Sequence, residues 1–322
     1  MVKFNDQRES QNVEDRRGQG GGDYADSGGM QIPLPIGGKG GMGIIGLLIM
    51  LGLMFFFGID PRTFMGGDSP FPMPDSDRNG QPLPKWNVPG LPGTQPSSAP
   101  GGAAAIVPGD DLAHFVKQTM GSTDDFWSAT FKGFGKPYPP PTLVMYDNAT
   151  PTACGTGQSA MGPFYCPNDQ KVYIDLAFYK ELRDRFGVPG NFAQAYVVAH
   201  EVGHHIQKLL GIADQVQSYK EQVSEKDANA LQVRMELQAD CFAGVWANNA
   251  NKTKQILEPG DIEGGLNAAS AIGDDRLQKQ AMGRVIPDAF THGSSAQRVR
   301  WFKRGIDSGN LQDCDTFNAA DL

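Results

Sequence analysis

His200 and His204 stand four residues apart, with Glu201 beside the first, in the run Ala199-His200-Glu201-Val202-Gly203-His204-His205. This spacing constrains the chain more than any other feature. Two imidazoles four residues apart converge on one point when the backbone between them is helical, because residues i and i+4 share a face. The stretch from Asn191 to Leu210 reads as such a helix, opened by Asn191 and closed by Gly211. On it, His200 and His204 are candidate ligands of one metal ion. Glu201 projects beside that point, where it could take a proton from a bound water. Three of the chain's five histidines lie in this run, which weighs against an incidental pair.

Zinc, one ion per chain, is the expected metal, and it needs a third protein ligand. A third histidine six residues after the second would fall on Leu210, and its accompanying glycine on Gln207, so that arrangement is excluded. Glu236-Leu237-Gln238-Ala239-Asp240 offers another. On a helix predicted over Asp227 to Asn249, Glu236 would complete the ligand set. Asp240, one turn on, would accept a hydrogen bond from a ligand imidazole and fix its tautomer. The plainer alternative is a solvated helix face. Small Ala239, Ala243 and Gly244, which let helices approach closely, favour the ligand reading. Thr291-His292-Gly293-Ser294 supplies a further candidate: His292 as donor to an oxyanion, with Arg298 orienting or assisting. A helix-capping histidine is the alternative there. His205, one residue past the ligand face, and His114 read as structural.

Residues 40–59 contain no charged side chain and are long enough, at roughly 30 Å, to cross a bilayer core as a helix. Nearly forty residues precede the run and Asp60-Pro61-Arg62 follows it, which suits a retained anchor better than a cleaved signal. Residues 1–39 are polar and glycine-rich and are expected to be disordered. Residues 60–107 are rich in Pro, Gly and Ser and read as a linker. The folded domain is then 108–322. The net charge is −8 and no dense basic block occurs, so a nucleic-acid partner is not expected. Flanking Lys and Arg do not decide the orientation of the anchor. The four cysteines, Cys154, Cys166, Cys241 and Cys314, all follow it, form no C-x-x-C pair and allow three disulfide pairings. Two bridges would put the domain in an oxidising compartment; four free thiols would not.

Within the domain, helices are predicted at Asp111 to Met120, near 261 to 270 and near 294 to 305, and strands at 142–146 and 171–176. Phe164-Tyr165-Cys166-Pro167 is either an edge strand beside the cleft, able to pair with an extended peptide, or part of a core hairpin. The fold class is α+β, mostly α.

The chain resembles the bacterial family of neutral zinc metallopeptidases. The likeness rests on Arg8-Glu9-Ser10, Asn12 to Gly18, the apolar run, Gly162 to Pro167, His200 to Gln207, Glu236 to Cys241 and Phe290 to Ser294. The domain also looks like the gluzincin class. The segment Thr291-His292 with Arg298 is similar to one in membrane-bound prenyl-protein and heat-shock metalloproteases, although Gly293 stands where those relatives carry proline. The resemblance implies peptide-bond hydrolysis on a polypeptide substrate, an endopeptidase rather than an exopeptidase, in a single-pass protein of the bacterial inner membrane with its domain in the periplasm. The pairings expected are Cys154 with Cys166 and Cys241 with Cys314. A zinc amidase or esterase acting on the cell envelope, and a non-catalytic membrane-anchored module retaining its zinc, are the rival readings. No feature sets an oligomeric state.

Overall fold

A computed structural model of the chain describes residues 7–18, 111–184 and 191–322. The apolar run 40–59 and the linker 60–107 lie outside the described residues. Among those described, no helix is long and apolar enough to cross a membrane.

The strands β2 (Thr142–Tyr146) and β6 (Lys171–Asp175) pair in parallel and are buried along nearly their whole length, as their unbroken apolar runs require. β5 (Phe164–Cys166) pairs antiparallel with β6 and forms one edge of a four-stranded sheet. Between β2 and β5, the hairpin β3 (Ala149–Thr152) and β4 (Gly155–Gln158) makes a separate ladder. A bridge between Cys154 and Cys166 ties its turn to β5.

The opposite edge corrects the reading of a disordered tail for residues 7–18; residues 1–6 and 19–39 lie outside the described residues. Val13–Asp15 is a strand, β1, paired in parallel with β2. The folded domain thus begins at its N-terminal side before residue 108, with residues 7–18. So short and polar a segment holds its shape through β2, whose backbone would otherwise be an unpaired edge.

Eight helices occur among the described residues. α1 (Asp111–Gly133) runs on past Met120, because Trp127 and Phe131 continue its buried stripe. α2 (Ala177–Asp184), α4 (Ile212–Lys220) and α7 (Asp274–Met282) were not anticipated; each buries at most two side chains, too few to set a period. α3 (Asn191–Leu209), α5 (Glu225–Lys254), α6 (Asp261–Ala271) and α8 (Ser295–Ser308) lie close to the expected spans.

α5 is the axis of the domain: every residue from Met235 to Ala247 is buried, so it is enclosed on all sides. Small residues set how closely its neighbours approach. A Cβ at Gly305 of α8 would lie 2.1 Å from the Cys241 carbonyl oxygen, and one at Gly203 of α3 would lie 3.0 Å from Ala239 Cα. α3 and α5 therefore cross nearly backbone to backbone at Gly203 and Ala239. A second bridge, Cys241 to Cys314, holds the C-terminal turn Leu311–Cys314 on α5.

Candidate metal centre

The crossing at Gly203 and Ala239 puts one turn of α3 against one turn of α5, and the side chains flanking it meet. His200 Nε2 lies 3.1 Å and His204 Nε2 3.4 Å from Glu236 Oε2. One ligand atom from each of the three lies within 4.8 Å of the others, so the cluster could hold a metal ion. Nitrogen and oxygen ligands at about 2.0–2.1 Å from a tetrahedral zinc stand roughly 3.3 Å apart, and the two measured separations match that spacing. Sequence spacing brought these residues together as candidates; the fold brings them together in space.

Each of the three has its remaining polar atom held from behind, which is what leaves the inner atoms to converge. His200 donates from Nδ1 to Asp240 Oδ1 at 2.8 Å. His204 donates from Nδ1 to Gln207 Oε1 at 2.9 Å. Glu236 Oε1 accepts from Gln232 Nε2 at 3.0 Å. Both imidazoles are thereby set in the tautomer that turns Nε2 inward.

The two histidine supports differ in kind. Asp240 is fully buried and accepts two guanidinium bonds from Arg298, from Nε and Nη2, each 2.8 Å, and one from the Tyr196 hydroxyl at 2.5 Å. Burial by itself would raise the Asp240 carboxyl. The charges of Arg298 and His200 outweigh it and draw the group down to about 2. Arg298 is thus placed behind His200, 2 % exposed, and near enough to His292 for its charge to act there as well. Its direct bonds there are to Asp240, which it positions. Behind His204 the support is neutral. Gln207 donates to the Met235 carbonyl at 2.7 Å and to Gln238 Oε1 at 3.1 Å, and Gln238 donates to the carbonyl of disulfide-bonded Cys314 at 3.1 Å. The sequence reading used Gln207 only to exclude a three-histidine site. Its place one turn after His204 was the signal for this second role.

Glu201 is buried beside the cluster, and burial raises its carboxyl above the usual range against the pull of His200 and His204. A carboxyl so placed holds a proton more readily than an exposed one, which suits a group that takes a proton and passes it on. His292 lies near enough for its charge to act on Glu236. Its loop is fixed by Asp274, which sequence reasoning missed. Asp274 Oδ2 accepts three successive backbone N–H bonds, from Thr291, His292 and Gly293, at 2.7, 2.6 and 3.0 Å. Its Oδ1 lies 3.3 Å from His292 Nδ1. Eighteen residues separate Asp274 from His292, and no local pattern links them. Gly293 sits at φ +86°, a backbone state that suits glycine, and a Cβ there would meet Val233 and Leu237 of α5 at 3.2 and 3.3 Å.

His205 is structural, as expected. It is fully buried between the Pro139 carbonyl, 2.8 Å from Nε2, and the Tyr165 hydroxyl, 3.0 Å from Nδ1, and burial pushes it down to about 4. Its contact with Tyr165 fastens the edge strand β5 to the ligand helix. His114 pairs with Glu9 of the N-terminal segment at 2.5 Å.

The model of the family described as Putative neutral zinc metallopeptidase matches residues 2–317. The chain is 45% identical over 317 residues to the uncharacterized protein YpfJ of Escherichia coli strain K12, covering 98% of this chain and 99% of the relative. It is 43% identical over 228 residues to the uncharacterized protein Mb2605 of Mycobacterium bovis, covering 66% of this chain and 75% of the relative. No solved structure matches the chain significantly.

Proposed function

The chain belongs to the neutral zinc metallopeptidase family, and from that premise we propose that it hydrolyses peptide bonds within polypeptides, with zinc held by His200, His204 and Glu236. One observation carries the reading: a chelating cluster with all three outer atoms tied back and a buried, unsequestered Glu201 beside it. A purely structural zinc needs no general base. Bound there, zinc would polarise a carbonyl and lower the pKa of water towards about 7. Glu201 takes the proton from the attacking water and delivers it to the departing amine, which needs a group able to hold a proton in between. His292, on a loop fixed by Asp274, donates to the oxygen on which charge develops. Asp240, Arg298 and Gln207 hold the imidazoles in place.

The preference for endopeptidase action rests on β5. It is an edge strand tied to α3 through Tyr165 and His205, and an extended chain can pair along such an edge without offering a terminus.

Glu201→Gln in the full-length chain tests the mechanism. The variant is expected to keep one zinc per chain by metal analysis and to lose at least about 100-fold in cleavage of an unfolded protein substrate. The wild-type cleavage should stop on chelation. Turnover by the variant at the wild-type rate would remove Glu201 from the reaction.

A further inference from the structure

β1 precedes the apolar run 40–59 and the rest of the domain follows it, yet they form one folded unit. Val13, Glu14 and Asp15 stand in register with Leu143, Val144 and Met145. The Leu143 N–H donates to the Asn12 carbonyl at 2.9 Å, the Arg16 N–H to Met145 at 2.8 Å, and the Ser10 N–H to Lys117 at 3.0 Å. Side chains extend the contact in every direction. Ser10 is buried and donates to Asp124 at 2.7 Å. Arg8 pairs with Asp125 of α1, Lys171 of β6 with Glu14, and Arg16 donates to Thr150 of the β3–β4 hairpin. α1 is shaped for this passage: a Cβ at Gly121 would lie 2.1 Å from the Arg8 carbonyl oxygen. Only a residue without a side chain lets the segment cross the helix there.

We infer that residues 7–18 and 111–322 occupy the same aqueous compartment, so that the chain between them makes no net crossing of a membrane. The twenty residues 40–59 are enough for one passage through a bilayer core, roughly 30 Å, and not for two. The Pro-, Gly- and Ser-rich stretch 60–107 offers no second run of that kind. A single passage would put β1 and β2 on opposite faces, where their backbones could not pair. The two disulfides of the domain assign the shared compartment to the oxidising side, and the N-terminal segment goes with it. The single-pass arrangement expected from the sequence and this shared compartment exclude one another, so the same test decides between them. The inference does not depend on the catalytic reading.

The test uses the full chain in spheroplasts of a bacterial host. Gln11→Cys and Lys303→Cys each place a thiol at an exposed position, one in each segment. A membrane-impermeant maleimide is added before or after lysis. Labelling of both thiols before lysis is the expected result. Labelling of one with protection of the other would overturn the inference. Protection of both until lysis would keep the shared compartment and overturn its oxidising assignment. Where a cysteine variant fails to accumulate, protease accessibility of epitope tags at the two termini of the otherwise unaltered chain gives the same three readings.

Discussion

Asp240 and Asp124 are buried almost equally, 0% and 3% exposed, and burial acts on both carboxyls in the same direction. Behind the metal cluster, Asp240 ends at about 2; beneath the N-terminal segment, burial lifts Asp124 to about 6. The difference lies in the partners. Asp240 has the Arg298 guanidinium on both oxygens and an imidazole besides. Asp124 has the Ser10 hydroxyl at 2.7 Å and the Tyr138 hydroxyl at 3.4 Å, while the nearby Arg8 is engaged by Asp125. Two hydroxyl donors satisfy the geometry of a buried carboxylate without neutralising its charge. The metal centre is built around a charge that must persist. The clamp on β1 is built around one that the fold would rather lose.

Three measurements sharpen this contrast. The largest effect is expected from Asp240→Ala, which strands Arg298 as a buried cation and frees the His200 tautomer. Loss of about 3–5 kcal/mol in denaturant unfolding is expected, together with loss of bound zinc. Retention of both would show that Arg298 finds another partner. Asp124→Asn should act in the opposite direction. A carboxyl whose folded pKa is raised from 3.8 to about 6 contributes stability that is full below pH 3.8 and is lost as pH climbs through 6. Removing the ionisation should therefore leave stability unchanged near pH 4 and raise it by up to about 3 kcal/mol at pH 8, read from melting curves at both values. Equal effects at the two pH values would sever Asp124 from its proposed ionisation. Gln207→Ala, on the neutral side of the cluster, is expected to have the smallest effect: zinc affinity about tenfold weaker in competition with a chelator, with little change in unfolding. A loss as large as that of Asp240→Ala would mean that charge is not what separates the two supports.

The parts of the site that were legible in the sequence are those carried by helical spacing. His200, Glu201 and His204, then Glu236 and Asp240, each lie within a single turn or little more, so a period exposes them. Gln207 was visible at the same spacing, although its role depends on Gln238 and Met235 of another helix. Asp274 was not visible at all, because its three backbone partners are contributed by a loop eighteen residues away. Arg298 was placed in the right neighbourhood without its direct partner: a helix-period reading points a side chain at a side of the domain and does not show that it binds Asp240. β1 escaped for a different reason. It has one apolar residue, Val13, and its strand conformation is specified by an edge more than a hundred residues along the chain. The long buried strands β2 and β6 carry their own signal and fall close to where they were expected.

The contact between Gly203 and Ala239 has a consequence for how this centre can vary. A methyl group gained at 203 would meet Ala239 Cβ at 3.1 Å, tighter than most packed carbons, and would push α3 from α5 by a few tenths of an ångström beside all three candidate ligands. Removing the Ala239 methyl would not make room, because the same added carbon would also lie 3.0 Å from Ala239 Cα and 3.1 Å from its carbonyl oxygen, and these backbone atoms remain whatever residue stands at 239. Glycine at 203 is thus held by the approach of two backbones, although it carries no functional group of its own.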